Sequence, residues 1–130
     1  MVGWSMVSWS LVLGLPDHRT KDDLTTRPSD QGLLGMSTIL EDLFDVIKDR
    51  KVNPKEGSYT CRLIAAGENE ILKKMGEEVV ETIVAAKGED DERLVYEVAD
   101  LLYHILVLLA YREIEMADVE DELTRRFKPG

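Results

Sequence analysis

The sequence predicts an all-α bundle of four to five helices, completed by oligomerisation, and three observations support this class. Apolar residues recur at helical spacing from residue 36 onwards, and no alternation is long enough to indicate a β-strand. Glycines, prolines and N-capping residues divide this stretch into helix-sized pieces. The composition, with 44% hydrophobic and 32% charged residues, leans toward the Ala, Glu, Lys, Leu and Arg mixture of helical proteins.

The chain of 130 residues has room for one domain, which we predict to span residues 36–130. Residues 1–35 differ in character, because they contain both tryptophans, scattered serines and no sustained period. We predict that they form an extension, disordered or introduced by cloning. A tryptophan-bearing arm that docks on a partner subunit is the alternative. The apolar run near the start lacks the basic flank and cleavage site of a secretory signal and is too short to cross a membrane.

The first two helices are marked by apolar spacing and by capping residues. A helix is predicted over residues 37–51, and a loop around Pro54 follows it. Ser58 is placed to N-cap a short helix through Ala66, which Gly67 closes. The apolar face of the first helix comprises Ile39, Leu40, Leu43, Phe44 and Ile47.

Three further helices follow, and two of them are long. The first spans about residues 70–87 and stops at Gly88, and the second spans about residues 91–112 with Asp90 as its N-cap. The last, over about residues 118–127, is amphipathic and short.

The second long helix also bears on assembly. Between Leu101 and Ala110 it is apolar almost all round, so it needs cover on several sides. The other helices of one chain are too few to supply that cover. We therefore predict a homodimer or homotetramer whose shared core contains this helix.

Acidic residues form a pattern on the two long helices. Glu78 and Glu81 share a helix face that Glu77 borders, and Glu97 and Asp100 likewise share a face of the next helix. Like charges at this spacing repel by a few tenths of a kcal/mol, so packing two such faces together requires a cation between them. A solvated acidic face is the alternative. The apolar residues interleaved with both pairs argue against it.

Carboxylate oxygens are hard ligands that suit Mg²⁺ or Mn²⁺, and Mg²⁺ commonly bridges protein carboxylates to substrate phosphates. Such a site favours attack of water on phosphorus, with a remaining carboxylate positioning or deprotonating the water. The formal charge of −10 argues against nucleic-acid binding through a basic surface. A small phosphate-bearing substrate that shares the cation is compatible with that charge.

The acidic motif, Glu77-Glu78-x-x-Glu81 followed by Glu97-x-x-Asp100, resembles that of the all-helical nucleotide pyrophosphohydrolases, which include the MazG proteins and dimeric dUTPases. Within that group, residues 39–126 resemble the phosphoribosyl-ATP pyrophosphohydrolase family of histidine biosynthesis. The matching words are Asp49-Arg50-Lys51, Glu56-Gly57-Ser58-Tyr59-Thr60, Ile71-Leu72-Lys73-Lys74-Met75-Gly76-Glu77-Glu78, Ala85-Ala86-Lys87 and Ala99-Asp100-Leu101-Leu102-Tyr103-His104.

The resemblance implies Mg²⁺-dependent hydrolysis of phosphoribosyl-ATP to phosphoribosyl-AMP and pyrophosphate, the second step of the pathway. It also implies that Glu78, Glu81, Glu97 and Asp100 hold the metal and that Glu77 lies close by, so that these five acids make up the predicted catalytic set. The departure is Cys61-Arg62 after Thr60, where Ala-Lys is more usual in the family.

Cationic residues near the predicted helix ends are candidates for binding the substrate phosphates. Lys73 and Lys74 are favoured, because one helical turn separates them from the acidic motif. Arg50 and Lys87 are further candidates, and solvation at the surface is the alternative for all four.

Two rival functions stay open. One is a house-cleaning pyrophosphatase for nucleoside or deoxynucleoside triphosphates, and the other is a non-enzymatic helical dimerisation module. A di-iron bundle is disfavoured, because neither acidic helix carries Glu-x-x-His. The single cysteine, Cys61, excludes an internal disulfide and agrees with the cytoplasm as the expected location, without a membrane partner.

Overall fold

The computed structural model describes residues 12–13 and 38–127. Within residues 38–127 it contains helices and turns and no β-strand, which confirms the all-α prediction. The five helices of that range are α1 (Ile39–Val52), α2 (Tyr59–Ala66), α3 (Glu68–Gly88), α4 (Asp91–Tyr111) and α5 (Met116–Arg126).

Side-chain caps account for most of the helix starts. Thr38 forms a reciprocal capping box with Glu41 at α1, Ser58 accepts a hydrogen bond from the Cys61 amide at α2, and Asp90 accepts one from the Arg93 amide at α4. These bonds satisfy amide groups that the first helical turn leaves without partners. The predicted caps at Ser58 and Asp90 are therefore confirmed.

Two helices begin earlier than the sequence pattern predicted. Gly67 has φ +100°, a conformation that side chains disfavour, so the chain passes from α2 directly into α3 at Glu68 rather than at residue 70. α5 begins at Met116 rather than 118, because the Asp118 carboxylate accepts a hydrogen bond from the Glu115 amide in a second capping box. The apolar spacing alone could not reveal either start.

α3 and α4 form the most extensive helix pair, and the short turn between them makes them antiparallel neighbours. α1 packs against α4, and α2 packs chiefly against α3 with further contacts to α1 and α4; α4 supplies the largest share of the core. The core side chains are Phe44, Ile47, Tyr59, Leu63, Ile71, Tyr103, Leu106, Val107 and Ala110, together with Val12 and Leu13.

Val12 and Leu13 are the two described residues of the N-terminal segment. Both are helical, only 6% exposed and packed in the core with α1, α2 and α4. The prediction for the remainder of residues 1–35, and for a boundary at residue 36, lies outside the described residues.

The hairpin of α3 and α4 has acids inside and aliphatic side chains outside. Glu78, Glu97 and Asp100 are buried between the helices. The exposed aliphatic residues define what we call the outer aliphatic face: Leu72, Val79, Val80, Ile83 and Val84 on α3, and Val95, Val98 and Leu102 on α4. This arrangement reverses the usual distribution of apolar and charged side chains in a soluble helix pair.

Among the described helices, α4 alone has the length and hydropathy that would allow a membrane crossing. The core helices of soluble proteins meet the same criterion, and α4 buries Glu97, Asp100 and His104 against its own fold. Its apolar character therefore agrees with a core position.

Candidate active site

Carboxylates from α3 and α4 converge between the two helices. One oxygen from each of Glu78, Glu81 and Glu97 lies within 4.8 Å of the others. Glu78 and Glu97 are each 1% exposed, and Asp100 lies one turn beyond Glu97 on the same buried face of α4. We call these four residues the carboxylate cluster.

Each member of the carboxylate cluster has one buried oxygen without a hydrogen-bond partner among the described residues: Glu78 Oε2, Glu81 Oε2, Glu97 Oε2 and Asp100 Oδ2. No other buried side-chain polar atom in the described part of the chain lacks a partner. Buried unpaired carboxylates are costly, and proteins relieve that cost by protonation, pairing or metal coordination. The donor set therefore fits a hard divalent cation.

The electrostatics of the cluster favour protonation when nothing positive lies between the acids. Burial, followed by repulsion from Glu81 and Asp100, raises the pKa of Glu78 to about 8. Burial, followed by repulsion from Glu97, raises the pKa of Asp100 to about 6. The pKa of Glu81 is also raised, chiefly by burial. The raised pKa values indicate that a cation bound between these acids would compete with protons for their oxygens.

Arg93 is a charged neighbour of the cluster that sequence reasoning missed. Its Nη2 lies 2.6 Å from Glu97 Oε1, and its Nε lies 3.6 Å from Glu89 Oε2. The guanidinium thereby holds one oxygen of Glu97 and leaves the other facing the cluster. The signal was available in the sequence, because Arg93 precedes Glu97 by one helical turn.

Aromatic side chains from α2 and α4 lie beside the cluster. His104 Nδ1 is 2.7 Å from the carbonyl oxygen of Asp100, so this nitrogen donates, and Nε2 is left to accept from the Tyr59 hydroxyl at 3.4 Å. Burial is the largest effect on His104 and lowers its pKa, which favours the neutral ring that this pattern requires. Tyr59 and His104 thus connect α2 to the turn of α4 that carries Asp100.

The other predicted site residues have different surroundings. Glu77, which precedes Glu78 on α3, is partly exposed and pairs with Lys74 at 3.3 Å. Lys73 and Lys87 are exposed on α3. Arg50 is 3% exposed and donates to the Leu13 carbonyl and the Asp49 carboxylate, so its guanidinium lies in the core. A phosphate-binding role for these four cations stays a prediction.

An all-α fold whose two longest helices bring together four carboxylates, each with a buried unpaired oxygen, agrees with the class that the acidic motif resembles, the helical nucleotide pyrophosphohydrolases. The sequence profile of the family Phosphoribosyl-ATP pyrophosphohydrolase matches residues 40–127, more than half of the chain. The chain belongs to the phosphoribosyl-ATP pyrophosphohydrolase family.

Individual relatives agree with that assignment. Phosphoribosyl-ATP pyrophosphatase of Clostridium botulinum is 47% identical over 93 residues, which cover 72% of this chain and 84% of the relative. The enzyme of the same name from Methanococcoides burtonii is 48% identical over 91 residues, covering 68% and 92% of the two chains. The histidine biosynthesis bifunctional protein HisIE of Pyrococcus furiosus is 53% identical over 91 residues, covering 70% of this chain and 42% of that longer protein.

Proposed function

We propose that this chain hydrolyses phosphoribosyl-ATP to phosphoribosyl-AMP and pyrophosphate, the second step of histidine biosynthesis. The family assignment supports the reaction. The observation that carries the proposal is the set of four buried carboxylate oxygens without partners, because the hydrolysis of a phosphoanhydride requires positive charge at such a site. Water attacks phosphorus, the bond to the bridging oxygen between the α- and β-phosphates breaks, and pyrophosphate leaves.

Glu78, Glu81, Glu97 and Asp100 would hold Mg²⁺, or Mn²⁺ in its place, because their hard oxygens match the preference of both ions. The bound cation supplies neutralisation of phosphate charge and a lowered pKa for a bound water. Arg93 keeps Glu97 oriented through its 2.6 Å ion pair. We assign to Glu77, the neighbour of Glu78 in sequence, the acceptance of the proton of the attacking water.

Lys73 and Lys74 are the cations we assign to the substrate phosphates. Lys74 pairs at 3.3 Å with Glu77, the residue before Glu78 in sequence. Lys73 is adjacent in sequence, exposed, and carries an ammonium that reaches solvent. Point charges of this kind bind phosphate without requiring a fixed orientation.

The outer aliphatic face supports a homodimer or a homotetramer. Soluble monomers rarely leave large contiguous apolar patches uncovered, and this face runs along both helices of the hairpin. We propose that a second copy of the chain covers this face. In a symmetric dimer the same surface patch of each subunit meets its copy, so the aliphatic residues of α3 and α4 in one subunit would cover those of the other. We further propose a cytoplasmic location, in keeping with a single free cysteine, Cys61.

The proposed reaction is tested by measuring pyrophosphate release from phosphoribosyl-ATP against a panel of nucleoside and deoxynucleoside triphosphates, with Mg²⁺ and with EDTA. We expect release from phosphoribosyl-ATP in Mg²⁺ only, with a kcat/KM well above that for every member of the panel. A higher kcat/KM for a deoxynucleoside triphosphate would instead establish the house-cleaning activity.

The stabilising effect of Mg²⁺ is expected to grow with pH. In the metal-free protein the folded pKa values of Glu78 and Asp100 lie above their unfolded values, so these acids favour folding at low pH. That contribution is lost as pH rises from about 4.5 to about 8 for Glu78, and from about 3.8 to about 6 for Asp100. The Mg²⁺-induced rise in Tm should therefore be larger at pH 8.5 than at pH 5.5, and an equal rise at both would contradict it.

A further inference from the structure

Three side chains at the start of α2 and the end of α1 direct their donors at the backbone of Val12 and Leu13. Ser58 Oγ and Thr60 Oγ1 each lie 3.0 Å from the Val12 carbonyl oxygen, and Arg50 Nε bonds the Leu13 carbonyl oxygen. All three side chains are buried, two of them completely. The two carbonyl groups therefore accept hydrogen bonds from donors that are buried in the core.

A further hydrogen bond joins Thr60 of α2 to Tyr103 of α4. Thr60 has one hydroxyl hydrogen, and the Val12 carbonyl can only accept, so Thr60 donates to Val12. The Tyr103 hydroxyl, which bonds the same Thr60 oxygen, must then be the donor in that contact. The donor order is therefore Tyr103 to Thr60 to Val12.

Tyr103 lies one helical turn beyond Asp100, on the core side of α4. Its ring is also in edge contact with His104, which bonds the Asp100 carbonyl. A shift of α2 relative to α4 would therefore move the turn that carries Asp100. Val12 and Leu13 lie outside the part of the chain that the family profile matches, residues 40–127.

We propose that Val12 and Leu13 form an intramolecular clamp on α2, and that Thr60 is a positioning residue that transmits the clamp through Tyr103 to Asp100. The catalytic consequence rests on the function proposed above, whereas the clamp itself does not. The clamp adds to the family fold an element that fixes α2 against α4. Displacements of about 1 Å in a catalytic constellation can cost up to about a hundredfold in rate, so the expected effect appears in kcat.

The test uses full-length chains that carry single substitutions. Leu13→Asp places a carboxylate at a 6% exposed core position, which releases the clamp because an unpaired buried charge is costly. Leu123→Asp makes the same chemical change at a 62% exposed position of α5 and serves as the matched control. Val12 and Leu13 are helical and buried in the parent chain, so hydrogen–deuterium exchange of their backbone amides, measured by mass spectrometry on a peptide that contains both residues, reports on the clamp.

We expect Leu13→Asp to speed amide exchange at residues 12–13 and to lower kcat about tenfold with little change in KM, while Leu123→Asp matches the parent chain. Thr60→Val keeps the shape of the side chain and removes the hydroxyl, so it should lower kcat without changing amide exchange at residues 12–13. Thr60→Ser should restore kcat. The double variant of Leu13→Asp and Thr60→Val should be no slower than the slower single variant, because both break one pathway.

Unchanged amide exchange at residues 12–13 in Leu13→Asp would overturn the clamp. Faster exchange with unchanged kcat, a parental kcat in Thr60→Val, or additive losses in the double variant would overturn the positioning role. If Leu13→Asp fails to fold, the Thr60→Val and Thr60→Ser pair still decides the positioning role. If the parent chain does not hydrolyse phosphoribosyl-ATP, the proposed function fails, and amide exchange, which needs no substrate, still tests the clamp.

Discussion

Replacing Glu78 by glutamine is expected to lower kcat by about a hundredfold or more. Glu78 is 1% exposed and contributes an unpaired oxygen to the carboxylate cluster, so the amide removes one charged ligand from the proposed cation site. Stabilisation of phosphate charge by a bound cation amounts to several kcal/mol, and about 1.4 kcal/mol corresponds to a tenfold change in rate. Pyrophosphate release at saturating Mg²⁺ measures the loss.

Although Glu78→Gln should lower kcat, it should not lower the thermal stability of the metal-free protein. In the metal-free protein Glu78 is repelled by Glu81 and Asp100, and glutamine ends that repulsion without changing the volume of the side chain much. We expect a Tm in EDTA at least equal to that of the parent at pH 8, and a smaller rise in Tm on adding Mg²⁺.

The control for Glu78→Gln is Glu92→Gln, at an exposed position in the first turn of α4. It removes one negative charge from the same helix hairpin but none from the cluster, so kcat should stay within about twofold of the parent, since surface substitutions have small effects. Equal kcat values for the parent and Glu78→Gln would remove Glu78 from the site and with it the proposed cation ligation.

The second large effect is expected at the outer aliphatic face. Ile83 is 57% exposed in the single chain, and we propose that a second copy covers it. An aspartate there must either be desolvated in the interface or keep the subunits apart. A penalty of about 4 kcal/mol, within the range for burying an unpaired polar or charged group, corresponds to a rise in the dimer Kd of about a thousandfold.

Analytical ultracentrifugation over a concentration series measures this effect directly. The parent should sediment as a dimer or tetramer, and Ile83→Asp should sediment as a monomer at the same concentration. Val52→Asp is the matched control, because Val52 is 77% exposed at the end of α1 and outside the outer aliphatic face. A monomeric parent, or an Ile83→Asp variant of parental mass, would refute the assembly.

Much of the fold and the centre of the site could be predicted because helical geometry is local. In a helix with 3.6 residues per turn, acids three residues apart lie on the same face. The sequence therefore predicts the shared face of each acidic pair on α3 and α4 without information on how the helices pack. Capping chemistry is equally local, which is why the prediction of Ser58 and Asp90 as caps is confirmed.

Contacts between segments distant in sequence could not be predicted in this way. Val12 and Leu13 carry no periodic signal, and their contacts with Ser58 and Thr60 use carbonyl groups that every residue possesses. Arg50 illustrates the same limit, since the sequence marks it as a cation but not as a core residue bonded to Leu13. The ion pair between Arg93 and Glu97, by contrast, could have been predicted, because residues four apart on a helix lie on the same face.

The reversed polarity of the α3–α4 hairpin has a consequence for protein engineering. A redesign protocol that scores each chain alone would exchange the aliphatic side chains at positions such as Val80 and Ile83 for lysine and glutamate, and the acids at positions such as Glu78 and Glu97 for leucine. The product should express well, resist heat and remain monomeric, yet be inert toward nucleotides. Solubility screens would therefore select against the enzyme, and any optimisation of this scaffold needs an assay of turnover at every round.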